Sequence, residues 1–194
     1  MGRPDDPMFR LPQQARALVL ELLAYAARVD GPLEPREVTA LDAAAGRLGL
    51  AGRVPLPEGL PLDEGHLLPP PLDELSPLER RLAFGAAAWM VYLDGVESFV
   101  ERAFLDFIAD EAGLRPDEAR TLRTTAKRVR RACGERVPLS VELDLLALEL
   151  AYLYALKRSE IPPPAASASG LDERVAGLDE LKAQCEGAAR RRAP

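Results

Sequence analysis

The sequence predicts an all-α fold, a helical bundle of about six to seven helices with an internal duplication of a helical hairpin. Three observations predict it. Of 194 residues, 47% are hydrophobic but only 5% aromatic, and the apolar content is mostly Ala and Leu, which favours helix over sheet. Apolar residues recur at spacings of three and four along most of the chain, the period of a helix with one buried face. Two blocks, 18–50 and 82–114, align with each other without a gap.

The elements follow in order. Residues 1–12 read as an N-terminal tail and 13–160 as the helical domain. A first helix over 13–29 carries Ala17, Leu20, Ala24 and Ala27 on one face, and Gly31-Pro32 stops it. Pro35 suits the first position of a second helix with Val38, Leu41, Ala45 and Leu48 inward, and Gly49 is its expected C-cap. Residues 51–75, with Pro55, Pro57, Pro61 and Pro69-Pro70-Pro71, exclude regular helix and read as a connector packed by its leucines or mobile. Ser76-Pro77-Leu78-Glu79 is a capping box that opens a third helix to about Leu93.

After Asp94-Gly95 a fourth helix is expected from about Glu97 to Ala112, burying Phe104, Phe107 and Ile108. Pro116 opens a fifth, with Ala119, Leu122, Ala126, Val129 and Cys133 inward and Gly134 as its cap. A sixth, from Ser140 to about Arg158, is apolar on more than one face, which marks it as central. Residues 161–170 (IPPPAASASG) are a linker by composition, and 171–194 read as an amphipathic C-terminal helix with a basic tail.

Charge and composition exclude several function classes. A net charge of -6 argues against nucleic-acid binding, since phosphate affinity needs a basic surface. No run approaches the ~18 apolar residues of a membrane span. The opening MGRPDDPMFRLPQQ lacks the basic-then-apolar order of a signal peptide, so a cytoplasmic location is expected. Cys133 and Cys185 form no CxxC pair, and no disulfide framework is expected.

The duplicated block carries the functional question. It pairs Asp30 with Asp94, Gly31 with Gly95 and Glu37 with Glu101, and generic helix packing asks for none of these. An Asp at a helix C-terminus opposes the macrodipole, so something must offset its cost. One reading turns the Asp toward free amides of the next loop, with Gly supplying a left-handed turn and Glu capping the next helix. The other is a cation site. If a pseudo-twofold brings the turns together, Asp30, Glu37, Asp94 and Glu101 converge with Glu34 and Glu97 nearby, and hard oxygen ligands suit Ca²⁺, Mg²⁺ or Mn²⁺.

The doubled A-x-x-x-x-x-D-G-x-x-x-x-x-E pattern, Ala24 to Glu37 and Ala88 to Glu101, resembles the TerB-like family of tellurite resistance protein B and its relatives. The segment LRPDEARTLRTTAKRV after Gly113 is similar to that family's next helix. The resemblance covers about residues 13–132 and implies an all-helical fold whose acidic cluster is proposed to bind metal ions. It also implies association with membrane-linked stress-response complexes. The Pro-rich connector is longer than the family pattern, and His66 is followed by Leu67-Leu68, so no J-domain motif is present.

The fifth helix is the basic segment: Arg115–Arg136 holds eight Arg or Lys against Asp117, Glu118 and Glu135. Arg120, Arg123, Lys127, Arg130 and Arg131 are candidates for docking an acidic partner protein or anionic lipid headgroups. The alternative is a solvated face paired with acidic neighbours. His66 reads as an ordinary loop residue, and Trp89 and Tyr92 as core or groove wall. No residue is singled out as catalytic. The sequence thus points to a non-enzymatic binding or scaffold module with a protein partner and a divalent cation at the acidic turns. A metal-dependent hydrolase using the same carboxylates, or a purely structural subunit, are the alternatives.

Overall fold

The computed structural model describes residues 11–52, 70–135 and 137–158. They form six α-helices: α1 (Gln13–Ala26), α2 (Pro35–Arg47), α3 (Pro77–Val91), α4 (Phe99–Glu111), α5 (Pro116–Cys133) and α6 (Leu139–Arg158). No strand occurs among the described residues, so the fold is an all-α bundle. His66, the connector leucines from Leu60 to Leu68, the linker and the C-terminal stretch lie outside them.

The helix starts follow local chemistry. Ser76 accepts the Glu79 amide while Glu79 returns to the Ser76 amide at 2.6 Å, which satisfies two orphan donors of α3. Pro35, Pro77 and Pro116 each open a helix where no N–H is needed. The stops of α2 and α4 match each other bond for bond. The Leu50 amide donates to the Ala45 carbonyl and the Gly49 amide to Gly46, and 64 positions later Leu114 donates to Ala109 and Gly113 to Asp110. Both are Schellman turns, and Gly49 and Gly113 take φ of 70° and 64°.

The duplication also reaches further back than the sequence pattern suggests. Arg16 Nε donates to the Leu11 carbonyl at 2.6 Å, and Arg80 Nε to the Leu75 carbonyl at 2.8 Å. Each arginine therefore ties the start of its hairpin to the preceding segment in the same way.

The centre of the bundle is α3, not α6. Every residue from Leu82 to Leu93 is buried, and α3 packs on α1, α4, α5 and α6. Helix α6 packs on α2, α3 and α5 but leaves Leu148 exposed, so its second apolar face is not fully covered. Gly85 is where α6 presses closest: a Cβ there would collide with the Leu150 side chain. Two further expectations are corrected. Helices α1 and α3 end early, at Ala26 and Val91, because their last turns tighten into i→i−3 bonds such as Arg28 N to Tyr25 O and Leu93 N to Met90 O. Phe107 is 41% exposed, since α4 turns Phe104, Leu105, Ile108 and Ala109 inward onto α3.

Candidate functional site

The two Asp-Gly turns meet. Asp30, Gly31, Pro32, Glu34, Arg36 and Glu37 of the first hairpin face Met90, Val91, Leu93, Asp94 and Glu101 of the second across one cleft of about 150 Å³. All four carboxylates singled out from the repeat line it. The floor is the buried apolar end of α3, and the walls are the first turns of α2 and α4.

Each glutamate is the third residue of its helix and folds back onto the amide that precedes it. Glu37 Oε2 accepts from the Glu34 amide at 2.7 Å, and Glu101 Oε2 accepts from the Ser98 amide at 2.6 Å. The capping role expected of Glu37 and Glu101 is therefore real, and α4 starts at Phe99, after its N-cap Ser98, where the sequence reading began it at about Glu97. Burial pushes both carboxyls up from the ordinary 4.5, the capping amides pull them down, and neighbouring carboxylates raise them again. Those neighbours cross the repeat boundary: Glu101 acts on Glu37, and Asp30 acts on Glu101 as well as on Glu37.

The two aspartates differ. Asp94 Oδ1 accepts from the Val96 amide at 2.9 Å, the loop-amide contact expected of it. The position equivalent to Val96 in the first turn is Pro32, which has no N–H to give. Asp30, exposed on the cleft rim, accepts no hydrogen bond from the described residues. The glycines differ for the same reason. Gly95 has φ 87°, whereas Gly31 is not left-handed, a correction to the symmetric expectation. A residue before proline is held in extended backbone, and Gly31 precedes Pro32.

As arranged, the carboxylates do not form a closed ion cage. Among the described residues, no three His, Cys, Asp or Glu side chains stand close enough together to hold a metal. Their chemistry fits a hard cation in kind: oxygen donors only, with one oxygen each of Glu37 and Glu101 committed to a capping amide.

Beneath the cleft lies a group that sequence reasoning passed over. Glu142 of α6 is 0% exposed, with Trp89 Nε1 donating to its Oε1 at 2.8 Å and Arg130 Nη1 donating to its Oε2 at 3.3 Å. Burial pushes its carboxyl up to about 7, against the pull of the Trp89 N–H and the charge of Arg36, which lines the cleft. Arg130 also donates to the carbonyls of Leu93 at 3.2 Å and Gly134 at 2.8 Å. It thereby anchors the second Asp-Gly turn to α5 and α6. The signal in the sequence was a carboxylate in register with Leu146 and Leu150, four and eight residues on, in an otherwise apolar stripe.

Arg130 is accordingly buried and spent inside the fold, so it is not part of a docking face on α5. Arg123 is half-buried, bonded to Asp106 at 2.6 Å and lying over the Phe84 ring. Lys127 sits 4.8 Å from the centre of the Tyr92 ring. Burial and Glu97 push the Tyr92 hydroxyl up to about 12. Arg120 and Arg131 are exposed. No described helix is long and apolar enough to cross a membrane. No family model, curated protein or solved structure matches the chain.

Proposed function

We propose that the protein is a binding module whose ligand site is the acidic cleft between the Asp-Gly turns, and that the ligand is a hard divalent cation of the Ca²⁺, Mg²⁺ or Mn²⁺ class. The observation that carries this reading is the meeting of Asp30, Glu37, Asp94 and Glu101, two from each copy of the repeat, in one cleft. Like charges gathered at one place cost stability unless a counter-charge is supplied, and among the described residues Arg36 is the single basic residue lining that cleft. Asp30 supports the reading further, because Pro32 removes the turn amide that would otherwise occupy it. A cation would be held by Asp30 and Asp94 with the remaining oxygens of Glu37 and Glu101. It would act by neutralising the cleft and locking the two hairpins together.

The wider role, a scaffold for a protein partner in a stress-response system, follows from the resemblance of both turns to the TerB-like pattern. Calorimetric titration with Ca²⁺, Mg²⁺ and Mn²⁺ tests the cation reading. A site that must gather its ligands is expected to bind at roughly 10⁻⁴–10⁻³ M, and an Asp30→Asn/Asp94→Asn variant at least about tenfold more weakly. Absence of heat in the wild type removes the cation and leaves only the scaffold.

A further inference from the structure

We propose that the exposed face of α4 is a self-docking surface, on which two copies of this chain pair antiparallel about a twofold axis through Ala103. Phe99 is 84% exposed, Val100 49% and Phe107 41%, and Ala103 lies exposed between them. Side chains three and four positions apart are neighbours on a helix, so these residues form one stripe along α4. The opposite side of the helix buries Phe104, Leu105, Ile108 and Ala109. Two phenylalanines of ~200 Å² each at these exposures, with Val100 and Ala103, leave roughly 350 Å² of apolar surface open to water. A contiguous patch of that size marks an interaction surface, which a lone exposed hydrophobe does not.

The order of the residues selects a second copy as the occupant. Phe99 and Phe107 each stand four positions from Ala103, so the stripe reads alike from either end. A twofold at Ala103 lays Phe99 on the second copy's Phe107 and Phe107 on its Phe99, the self-complementary pattern of an isologous interface. Ala103 meets its own equivalent there, and so small a side chain lets the helix axes approach to about 8 Å. A stripe fitted to an unrelated partner has no need of this symmetry.

Charge follows the same symmetry. Arg102 and Asp106, four positions apart, border one edge of the stripe, with side chains 61% and 67% exposed. Asp106 accepts from Arg123 of α5 at 2.6 Å and Arg102 stands 3.7 Å from Glu97, contacts that hold both heads at this edge. Under the twofold the edge runs Asp106, the second copy's Arg102, Arg102, the second copy's Asp106, at axial steps of about 3 Å. Each carboxylate thus lies beside a guanidinium of the other chain. A parallel pairing would set Arg102 on Arg102 and Asp106 on Asp106, which like charge disfavours. The apolar area of both copies, roughly 700 Å², lies below the ~1,200 Å² of lasting interfaces. The dimer is therefore weak and reversible, with a Kd on the order of 10⁻⁵–10⁻⁴ M.

Sedimentation of the full chain from about 5 to 500 μM tests the pairing, and a dimer is expected to become the main species over that range. F99D/F107D is expected to stay monomeric throughout with an unchanged circular dichroism spectrum, since both side chains are exposed. A second readout leaves both phenylalanines in place. In the full chain carrying Cys133→Ala and Cys185→Ala, Ala103→Cys lies on the twofold, where a disulfide between copies is within reach. Mild oxidation should give a covalent dimer about tenfold or more faster than with Asp42→Cys, an exposed position on α2. A wild-type chain that remains monomeric at about 500 μM overturns the proposal. So does a dimer that persists in F99D/F107D, or equal oxidation rates at the two cysteines. Both measurements are made with a chelator present, so their outcome is separate from that of the calorimetric titration.

Discussion

Glu37 and Glu101 come from different copies of the repeat, yet the charge of Glu101 helps hold the proton of Glu37. Each glutamate already serves its own helix as a cap, through the amides of Glu34 and Ser98. Two separate caps would have no reason to share a cleft with Asp30 and Asp94. The duplication places four carboxylates where local helix chemistry needs only two.

Crowding of this kind makes the cleft a place where stability and binding oppose each other. Asp30→Asn is expected to raise unfolding stability by roughly a few tenths of a kcal/mol, because Asp30 faces like charge and has no turn amide to lose. The same change is expected to weaken divalent-cation binding. Chemical denaturation beside calorimetry checks both, and a destabilised Asp30→Asn protein counts against repulsion in the cleft.

The two turn glycines are expected to respond differently. Gly95→Ala forces a side chain into left-handed backbone and should cost about 1 kcal/mol. Gly31→Ala meets no atom within 4 Å and has no positive φ, so it should be nearly neutral. Urea midpoints of the two variants measure the difference, and equal losses would show that the turns share one conformation.

Glu142 gives the fold a pH dependence with a defined sign. Its carboxyl is raised in the folded protein, so the folded state binds the proton more tightly than the unfolded chain. Its contribution is complete below the ordinary value of 4.5 and is lost as pH rises toward about 7. The expected loss is about 1–3 kcal/mol, the lower end reflecting the Arg130 contact that favours the charged form. Glu142→Gln keeps an acceptor for Trp89 and should flatten this slope in unfolding experiments between pH 5 and 8. An unchanged slope assigns the dependence to other groups.

Gly85 is expected to tolerate no side chain. Gly85→Ala places a methyl group against Leu150 in a fully packed interface between α3 and α6, and overpacking of this kind costs about 1–3 kcal/mol. Adding Leu150→Ala should recover part of the loss in a double-mutant cycle. Strict additivity would show that the two residues do not touch.

Local signals in the chain read through to the structure where they act locally. Ser76-Pro77-Leu78-Glu79 and the glycines at 49, 113 and 134 mark helix ends because a cap is a contact among near neighbours. The 64-residue repeat singled out Asp30, Glu37, Asp94 and Glu101, and all four line one cleft. What escaped depended on neighbours distant in sequence. Arg130 lies in a run of surface-like arginines, and only the burial of Glu142 on α6 draws it inward. Phe107 has the residue type of a core position, yet no element covers that side of α4 among the described residues. The asymmetry of the turns was written in Pro32 opposite Val96, a difference masked by the identities on either side.

The most direct test of the central claim is the broadening of NMR signals by substoichiometric Mn²⁺, which reports distance from a bound ion. A single site shared by both hairpins predicts that the amides of Gly31, Glu37, Gly95 and Glu101 broaden together and at the same Mn²⁺ concentration. The effect should be lost in the Asp30→Asn/Asp94→Asn variant. Broadening at one turn alone, or first at the exposed Asp110 and Glu111 of α4, would contradict a common site.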